Sequence, residues 1–185
     1  MQLVWPTAEH LPSYIAALQS GWSADNARGA VAAAEELERI AADPAAFLAG
    51  MIDREALSGA VTLPDGSQVA RIPGVRRWMW DGDFCGVIGL RWQPGTEALP
   101  PHCLGHVGYA VLPSKRGKGY ATQALRETLP LARAEGLRYI EVTTDPDNLA
   151  SQRCIEACGG VLFEHFTKPA QFGLKPGLRY RIALV

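Results

Sequence analysis

The run from Val111 to Ala121, VLPSKRGKGYA, combines two glycines with three basic side chains at a predicted strand-to-helix junction. Gly117 and Gly119 would let the backbone approach an anion closely. The first turn of the following helix presents unpaired N–H groups and the positive end of the helix dipole. This combination is typical of phosphate sites, so the loop predicts binding of a pyrophosphate group. The alternative is a solvent-exposed basic turn in front of a helix.

The predicted phosphate-binding residues belong to the loop and to the first helical turn. They are Arg116, Gly117, Lys118, Gly119, Tyr120 and Ala121. No Gly-Lys-Ser/Thr ending follows four residues after a glycine, as a nucleoside-triphosphate loop would require. Thr122 occupies the third glycine position of the dinucleotide-binding fingerprint. Both of these common nucleotide-binding loops are therefore excluded.

The elements around this loop alternate between strand and helix. The predicted elements are strand 106–111, helix 119–135, strand 139–143, helix 149–158 and strands 161–166 and 178–184. Two consecutive strand–helix–strand units predict a sheet that is at least partly parallel. Ahead of them, segments 75–80 and 84–92 flank Asp81-Gly82-Asp83 and are rich in Val, Ile and Trp, which predicts a β-hairpin.

The first part of the chain, residues 1–70, is predicted to be helical. Segment 11–19 is a short amphipathic helix, and segment 27–41 is rich in Ala and Glu, which favour helix. Asp25 or Asn26 is expected to cap the second of these helices.

Length and composition predict a single domain over residues 1–185. Hydrophobic residues make up 48% of the chain, enough for a sizeable core. With 18 basic and 19 acidic residues the net charge is −1, so neither nucleic acid nor a membrane is expected as a partner. No signal-peptide pattern is visible, and a cytoplasmic location is the default expectation. The sequence leaves a homodimer open.

The four cysteines are interpreted as small buried hydrophobic residues. Cys154 and Cys158 lie four residues apart on a predicted helix, but two further ligands would have to join them to hold zinc. The nearby candidates by type are His102, Cys103 and His106, and their spacing fits no common zinc motif. We therefore predict no metal site.

Three segments in order resemble the GNAT N-acetyltransferase superfamily. Residues 116–121 resemble its Arg/Gln-x-x-Gly-x-Gly/Ala pyrophosphate signature, and 108–113 resembles the strand that leads into that signature. Asn148-x-x-Ser151, followed by Gly159-Gly160, resembles a later segment of the family. The resemblance covers roughly residues 102–166, and residues 1–70 resemble the family only in being helical.

The resemblance implies a mixed α/β fold whose central, mostly antiparallel sheet is flanked by helices. Two parallel strands of this sheet splay into a V, and acetyl-coenzyme A (acetyl-CoA) is the implied co-substrate. Its pantetheine arm would pair like an added strand with the backbone near Tyr109, Ala110 and Val111. Asn148 and Ser151 would also contact the cofactor. The 102–166 region would bind acetyl-CoA, and residues 1–70 would form the substrate side.

The sequence offers three candidates for the catalytic residues. Many relatives carry a tyrosine seven residues after the asparagine to protonate the thiolate, but here the position is Ile155. Ser151 is the nearest polar alternative, or else a helix residue that contacts backbone or cofactor. His106 is the preferred general base, because imidazole titrates near neutrality; the alternative is a strand histidine with a structural hydrogen bond. Glu141 on the next strand competes for the same role.

The function implied is transfer of an acetyl group from acetyl-CoA to a primary amine by direct attack in a ternary complex. The acceptor is predicted to be a small molecule or a peptide. A non-catalytic acyl-CoA-binding module is the alternative, because the tyrosine is missing. Trp78, Trp80 and Trp92 either line the acceptor pocket or pack in the core.

Overall fold

The computed structural model describes residues 1–63 and 65–184, and within them it forms one large sheet covered by helices on both faces. The helices are α1 (Leu11–Gln19), α2 (Ala30–Ala42), α3 (Pro44–Ala49), α4 (Tyr120–Ala134) and α5 (Leu149–Glu156). The strands are β1 (Gln2–Val4), β2 (Ile52–Asp53), β3 (Val61–Thr62), β4 (Gln68–Val69), β5 (Gly74–Trp80), β6 (Phe84–Arg91), β7 (Val107–Val111), β8 (Tyr139–Thr144), β9 (Val161–Thr167) and β10 (Pro176–Ala183).

The large sheet has the strand order β1-β5-β6-β7-β8-β10-β9, and β2 also pairs with β5. Its strand pairs are antiparallel except β7 and β8, which are parallel neighbours joined through helix α4. The predicted hairpin is present as β5 and β6. These observations confirm the predicted mixed, mostly antiparallel sheet with one parallel pair.

Two layers of helices cover the sheet and create two apolar clusters. Helices α4 and α5 pack on one face, where Leu125 and Ile155 meet Ile140 and other strand residues. Helices α1 to α3 pack on the other face, where Tyr14 and Phe47 surround Trp78. Helix α4 packs on the sheet through one face, because its buried residues recur at three- and four-residue spacing.

The tryptophans of the hairpin differ in their burial. Trp78 is fully buried and Trp92 is 4% exposed, whereas Trp80 is half-buried. Trp78 also contacts Phe84 at a ring-centroid distance of 5.4 Å. Trp78 and Trp92 are therefore core residues, as the packing interpretation predicted.

Two sequence-based expectations were wrong in detail. Residues 1–70 are not only helical, because β1 pairs with β5 and three further short strands follow α3. Helix α2 begins at Ala30 after Gly29; Asp25 instead accepts hydrogen bonds from the Ala27 and Arg28 N–H groups, 3.0 and 2.9 Å away, which closes a preceding turn. The predicted partly parallel sheet is present through β7 and β8; the second strand–helix–strand unit adds no parallel pair, because β10 lies between β8 and β9.

In the described parts of the chain, every helix is too short or too polar to cross a lipid bilayer.

Candidate functional site

The parallel strands β7 and β8 meet at one point and then separate. Their ladder consists of the single register pair Val107 and Val142, here called the apex. Just before it, the His106 N–H donates to the Glu141 carbonyl oxygen over 2.7 Å. Beyond the apex, β7 pairs with β6 as far as Val111 but has no register pair with β8 among residues 1–63 and 65–184. The side of β7 that faces β8 is therefore open.

Backbone groups of β7 point into this opening. The Leu112 N–H bonds to the Cys85 oxygen of β6 at 2.9 Å, and alternate residues of a strand direct their backbone groups to opposite neighbours. Tyr109 and Val111 therefore direct theirs toward the gap, and Ala110 directs its own toward β6. An extended chain that carries amide groups can pair with this edge as an added strand.

The predicted phosphate loop lies at the far end of β7. A short 3-10 turn at Pro113–Lys115 leads into it, and Gly117 and Gly119 adopt left-handed φ angles of +75° and +76°. Open space surrounds both α-carbons, since an added Cβ would meet nothing within 4 Å. Gly119 is the N-cap of α4 and lacks a side-chain cap bond. The first N–H groups of a 15-residue helix therefore face a loop that can wrap an anion.

The charged groups of this loop are not equivalent. Lys115 forms an ion pair within the protein, because its ammonium group bonds to Asp81 at 2.8 Å. The Tyr120 hydroxyl donates to the same carboxylate at 2.8 Å, and the two bonds hold the pKa of Asp81 well below its ordinary value. Arg116 and Lys118 are exposed. The Arg116 Nε donates to the carbonyl of Val111 at 3.2 Å, which places its guanidinium at the mouth of the gap.

A second polar group lies where β7 faces helix α5. Asn148 caps α5 by accepting the Ser151 N–H at 3.1 Å. The Ser151 hydroxyl is 2.8 Å from the Tyr109 hydroxyl, so β7 and α5 are joined by a hydrogen bond at the gap. Burial raises the pKa of Tyr109. Ile155, at the family's tyrosine position, is fully buried in the apolar cluster.

The side chain of Tyr109 is a functional candidate that the sequence reasoning missed. The strand backbone at Tyr109 was predicted to bind the cofactor, with no role for the hydroxyl. The alternation of Val107, Tyr109 and Val111 on one face of the strand could have placed the ring toward α4 and α5. The partner Ser151 could not be inferred, because the contact depends on how α5 packs.

His106 occupies a structural position at the base of the gap. It is fully buried, and its Nδ1 accepts the Glu141 N–H at 2.9 Å. Desolvation lowers the pKa of His106 below its ordinary value. With Nδ1 used as an acceptor, the neutral ring carries its proton on Nε2, and no lone pair is left to take a proton from an amine. The geometry therefore favours the structural alternative for His106.

Glu141 belongs to an ion-pair network on the face of the sheet opposite α4 and α5. Its carboxylate bonds to Arg181 at 2.8 Å and lies 3.4 Å from Arg179. Arg181 is held between the rings of Tyr139 and Phe163, at 4.0 and 3.9 Å. The structure thus brings Glu141 close to the apex, but with its carboxylate already engaged by two guanidinium groups.

Two cavities open on the sheet face that carries Glu141. The first, of about 680 Å³, lies between α1, the following loop with Trp22 and Asp25, and the segment Leu112–Ser114. The second, of about 530 Å³, lies between the loop before β7 and the strands β8, β9 and β10, and Glu141 lines it. The acidic residues of α2 do not line either cavity: Glu35 pairs with Arg28, and Glu36 accepts the Tyr14 hydroxyl.

All four cysteines are free thiols and buried. The Cys158 thiol lies 3.5 Å from the Thr122 carbonyl oxygen of α4 and helps to join the two helices of that face. Within residues 1–63 and 65–184, no cluster of three or more His, Cys, Asp or Glu side chains has the geometry to hold a metal ion.

Solved structures with a similar fold are acetyltransferases. The microcin C7 self-immunity acetyltransferase MccE, solved with acetyl-CoA and AMP, is 13% identical, with 98% of this chain and 91% of that chain covered and a TM-score of 0.59. A GNAT acetyltransferase from Bacillus anthracis is 24% identical, with 58% and 65% covered and a TM-score of 0.48. A mutant of the spermidine N-acetyltransferase SpeG from Vibrio cholerae is 18% identical, with 60% and 66% covered and a TM-score of 0.48.

At 13% identity and a TM-score of 0.59, the likeness to MccE establishes the fold alone. The chain spans slightly less than two thirds of the length of the last two neighbours, at 65% and 66%, and 62% of a further probable acetyltransferase. No curated protein sequence matches significantly. The sequence matches the family described as "Acetyltransferase (GNAT) domain" over residues 3–161. Because that match covers most of the chain, and the splayed strands and phosphate loop agree with it, this protein belongs to the GNAT acetyltransferase family.

Proposed function

We propose that the protein transfers the acetyl group of acetyl-CoA to a primary amine in a ternary complex. The observation that carries this proposal is the open edge of β7, which leads from a phosphate-binding helix start to the apex. Four residue steps separate Val111 from Val107, about 14 Å at about 3.4 Å per residue. This is comparable with an extended pantetheine arm. A pyrophosphate bound at Gly117–Gly119 would thus deliver the thioester near the apex.

The oxyanion of the tetrahedral intermediate would be stabilised by backbone. The amine nitrogen forms a bond to the thioester carbon, negative charge develops on the carbonyl oxygen, and the C–S bond then breaks. A preorganised N–H donor in a site that excludes water stabilises such charge. The Tyr109 N–H faces the gap and is the proposed donor. The strand holds it in place, so no reorganisation is needed during the reaction.

The departing thiolate needs a proton, and we assign this step to the hydroxyl pair Tyr109 and Ser151. The 2.8 Å hydrogen bond between them lies at the α5 side of the gap. Either hydroxyl can donate while the other keeps its partner satisfied. This pair supplies a donor that Ile155 cannot supply.

The proton that the amine loses has no obvious acceptor among the buried groups. The base role of His106 stays a prediction, and the bond from the Glu141 N–H argues against it. Glu141 stays a second candidate, although Arg181 and Arg179 engage its carboxylate. We propose instead that the amine attacks as the free base, and that the positively charged nitrogen of the intermediate releases its proton to water. A proton from water then restores the hydroxyl that protonated the thiolate. His106 holds the apex together.

The experiment that tests the function follows free thiol release from acetyl-CoA over a panel of amines. The panel should contain amino acids, dipeptides, polyamines, aminoglycosides and arylamines, with each acetylated product identified by mass. The proposal predicts turnover with at least one class and no thiol release without an amine. Tight binding of acetyl-CoA with no turnover on any amine would instead support a non-catalytic acyl-CoA-binding module, which the buried Ile155 favours.

A further inference from the structure

Of the two cavities described above, the 530 Å³ cavity is the one lined by a residue next to the apex pair. Its floor includes Glu141, which directly precedes Val142 of the apex pair, and one wall is the loop with Cys103 and Leu104. The larger cavity reaches the sheet at Leu112, which is the phosphate end of β7. If the thioester lies near the apex, an acceptor in the 530 Å³ cavity has the shorter approach to it.

Arg179 lies on the floor of this cavity and makes only long contacts with its carboxylate partners. Its Nη1 lies 3.4 Å from Glu141 and its Nε lies 3.5 Å from Glu164. Both distances exceed the ordinary 2.9–3.0 Å of an N–H···O bond. The Nε is buried without a hydrogen-bond partner, and the Phe166 ring supports the guanidinium at 4.7 Å. The group is therefore held in place by stacking while its donors are only weakly used.

Two of the three carboxylates that line the same cavity, Glu141 and Glu97, are better matched. Glu141 has its closest contact with Arg181, at 2.8 Å. Glu97 binds Arg138 in a bidentate pair with distances of 2.7 and 3.1 Å. Their charges are thus neutralised locally. Glu164, the third carboxylate, is 44% exposed and lies 3.5 Å from Arg179, so Arg179 and Glu164 form the loosely bound pair on the floor.

A second guanidinium lies next to the apex. Arg91 ends β6 and is exposed, and a Cβ added to Gly108 would come within 2.9 Å of its Nη2. Arg91 therefore covers β7 one residue beyond the apex, in space that Gly108 leaves free. It forms no ion pair with a carboxylate in the described residues. Arg91 also lies close enough to Cys103, in the cavity wall, to lower the pKa of its thiol, although burial raises it overall.

From this pair of arginines we infer the class of acceptor, an inference that rests on the proposed acetyltransferase function. The structure assigns the 530 Å³ cavity as the acceptor site and Arg179, with Arg91 at its edge, as the group that binds a carboxylate of the acceptor. The substrate is then an amine that also carries a carboxylate, such as an amino acid or a short peptide. Its carboxylate replaces Glu164 beside Arg179, and its amine points to the apex.

The chemistry of Arg179 explains this choice. A guanidinium presents paired N–H groups in a planar fork that matches the two oxygens of a carboxylate. The contact with the Phe166 ring restricts the guanidinium, so little side-chain freedom is lost on binding. A polyamine has no anionic group and would therefore gain nothing from Arg179.

The test compares matched acceptors that differ only at the carboxyl group. L-Alanine, L-methionine, L-phenylalanine and glycylglycine are each assayed against their carboxamides, with thiol release from acetyl-CoA as the readout. The wild type should prefer the carboxylates in kcat/KM, and Arg179→Met should reduce the carboxylate-to-amide ratio by about tenfold or more, as loss of a charge-assisted hydrogen bond predicts. Aminomethylphosphonate, assayed beside glycine, tests whether phosphonate serves as well as carboxylate.

Two further variants make the result interpretable. Arg91→Met changes an exposed residue, so it should keep the fold while lowering the same ratio to a smaller extent. Arg153→Met, on the exposed side of α5, is the matched control and should leave the ratio unchanged. Since each ratio is compared with the wild type, differences in amine basicity between acid and amide cancel.

The outcomes separate the inference from the function on which it rests. Turnover of amines with equal carboxylate-to-amide ratios in wild type and Arg179→Met would overturn the assignment of Arg179 and leave the acetyltransferase intact. A wild type that prefers polyamines or carboxamides would overturn the acceptor class. Absence of thiol release with every amine, although acetyl-CoA binds, would overturn both.

Discussion

The two proposed sites of the splayed sheet would use different parts of the chain to hold polar ligands. The proposed cofactor side consists of backbone: the free edge of β7 and the glycine-rich start of α4 present N–H and C=O groups. The proposed acceptor side consists of side chains of β6, β8, β9 and β10, above all Arg91, Glu141 and Arg179. Binding at a backbone site depends on the local conformation and tolerates changes of side chain. Binding at a side-chain site depends on which side chains are present and tolerates changes of backbone conformation. This contrast can be tested by substitution on each side.

The largest effect is expected at the phosphate loop. Gly119→Val adds a branched side chain where the backbone has φ +76° and must approach the pyrophosphate. Acetyl-CoA affinity should fall by about 100-fold or more, measured by calorimetry; this magnitude corresponds to about 2.7 kcal/mol, on the scale of one or two charge-assisted hydrogen bonds.

Gly136→Val is the matched control for that substitution. Gly136 follows the other end of α4, has φ +85° and has the same open surroundings. Both variants should lose similar stability from backbone strain, but only the Gly119 variant should lose cofactor affinity. Equal affinity for acetyl-CoA in both variants would mean that the loop does not bind the pyrophosphate.

A smaller effect is expected at the hydroxyl pair. Tyr109→Phe removes the proposed proton donor and should lower kcat by about 10- to 100-fold, toward the lower end of general acid catalysis because Ser151 remains. The KM for acetyl-CoA should hardly change, because the strand backbone holds the cofactor. Tyr180→Phe is the control, since Tyr180 also bonds to α5, through Glu156 at 3.3 Å, but lies in the core. Equal kcat in both variants would remove Tyr109 from the mechanism.

His106 should affect stability more than rate. His106→Ala leaves the buried Glu141 N–H without its partner, which should cost about 1–3 kcal/mol of unfolding free energy. His106→Asn keeps an acceptor and should recover part of that loss, with kcat reduced only a few-fold. A loss of about 100-fold in kcat for the Asn variant, together with loss of a pH-dependent step near neutrality, would return His106 to the role of general base.

The pH dependence of stability supplies an independent check on His106. Burial keeps its pKa below the ordinary value in the folded protein, whereas in the unfolded chain it is about 6.5. Below pH of about 6.5, His106 therefore takes up a proton when the protein unfolds. The unfolding free energy that His106 contributes above this pH is lost progressively as the pH falls toward the pKa of the folded state. The wild type should lose more stability than His106→Asn over this range, measured by denaturant unfolding.

The smallest effect is expected from the cap of α5. Asn148→Ala and Asp43→Ala each remove a side-chain bond at a helix start, of 3.1 and 2.9 Å, and each should cost about 1 kcal/mol. Asn148 also lies beside Ser151 in the gap, whereas Asp43 caps α3 on the other face. The KM for acetyl-CoA should therefore rise only in the Asn148 variant. A similar rise in both variants would show that the effect is one of stability alone.

The same contrast explains what the sequence could predict. The loop at Arg116–Ala121 and the hairpin around Gly82 depend on local backbone conformation, which glycine spacing and turn residues reveal. Most predicted strands and helices of the second half differ from the observed bounds by one or two residues for the same reason.

The acceptor side could not be predicted in this way, because it depends on tertiary contacts. The imidazole of His106 looked suited to proton transfer, but its bond to the Glu141 N–H exists only once β7 and β8 meet. Arg179 and Arg91 come from strands that are far apart in sequence and gave no spacing signal. Tyr109 was placed on the correct strand, yet its hydroxyl partner depends on the packing of α5.

The account depends most directly on coenzyme A lying along the free edge of β7. Hydrogen exchange resolved to single amides, with and without saturating coenzyme A, measures this. We predict slower exchange at Tyr109 and Val111, which face the gap, and at Tyr120 and Ala121 in the first turn of α4, with no such change on adding NAD. Coenzyme A binding that leaves these amides unprotected, or that protects a different region of the sheet, would contradict the account.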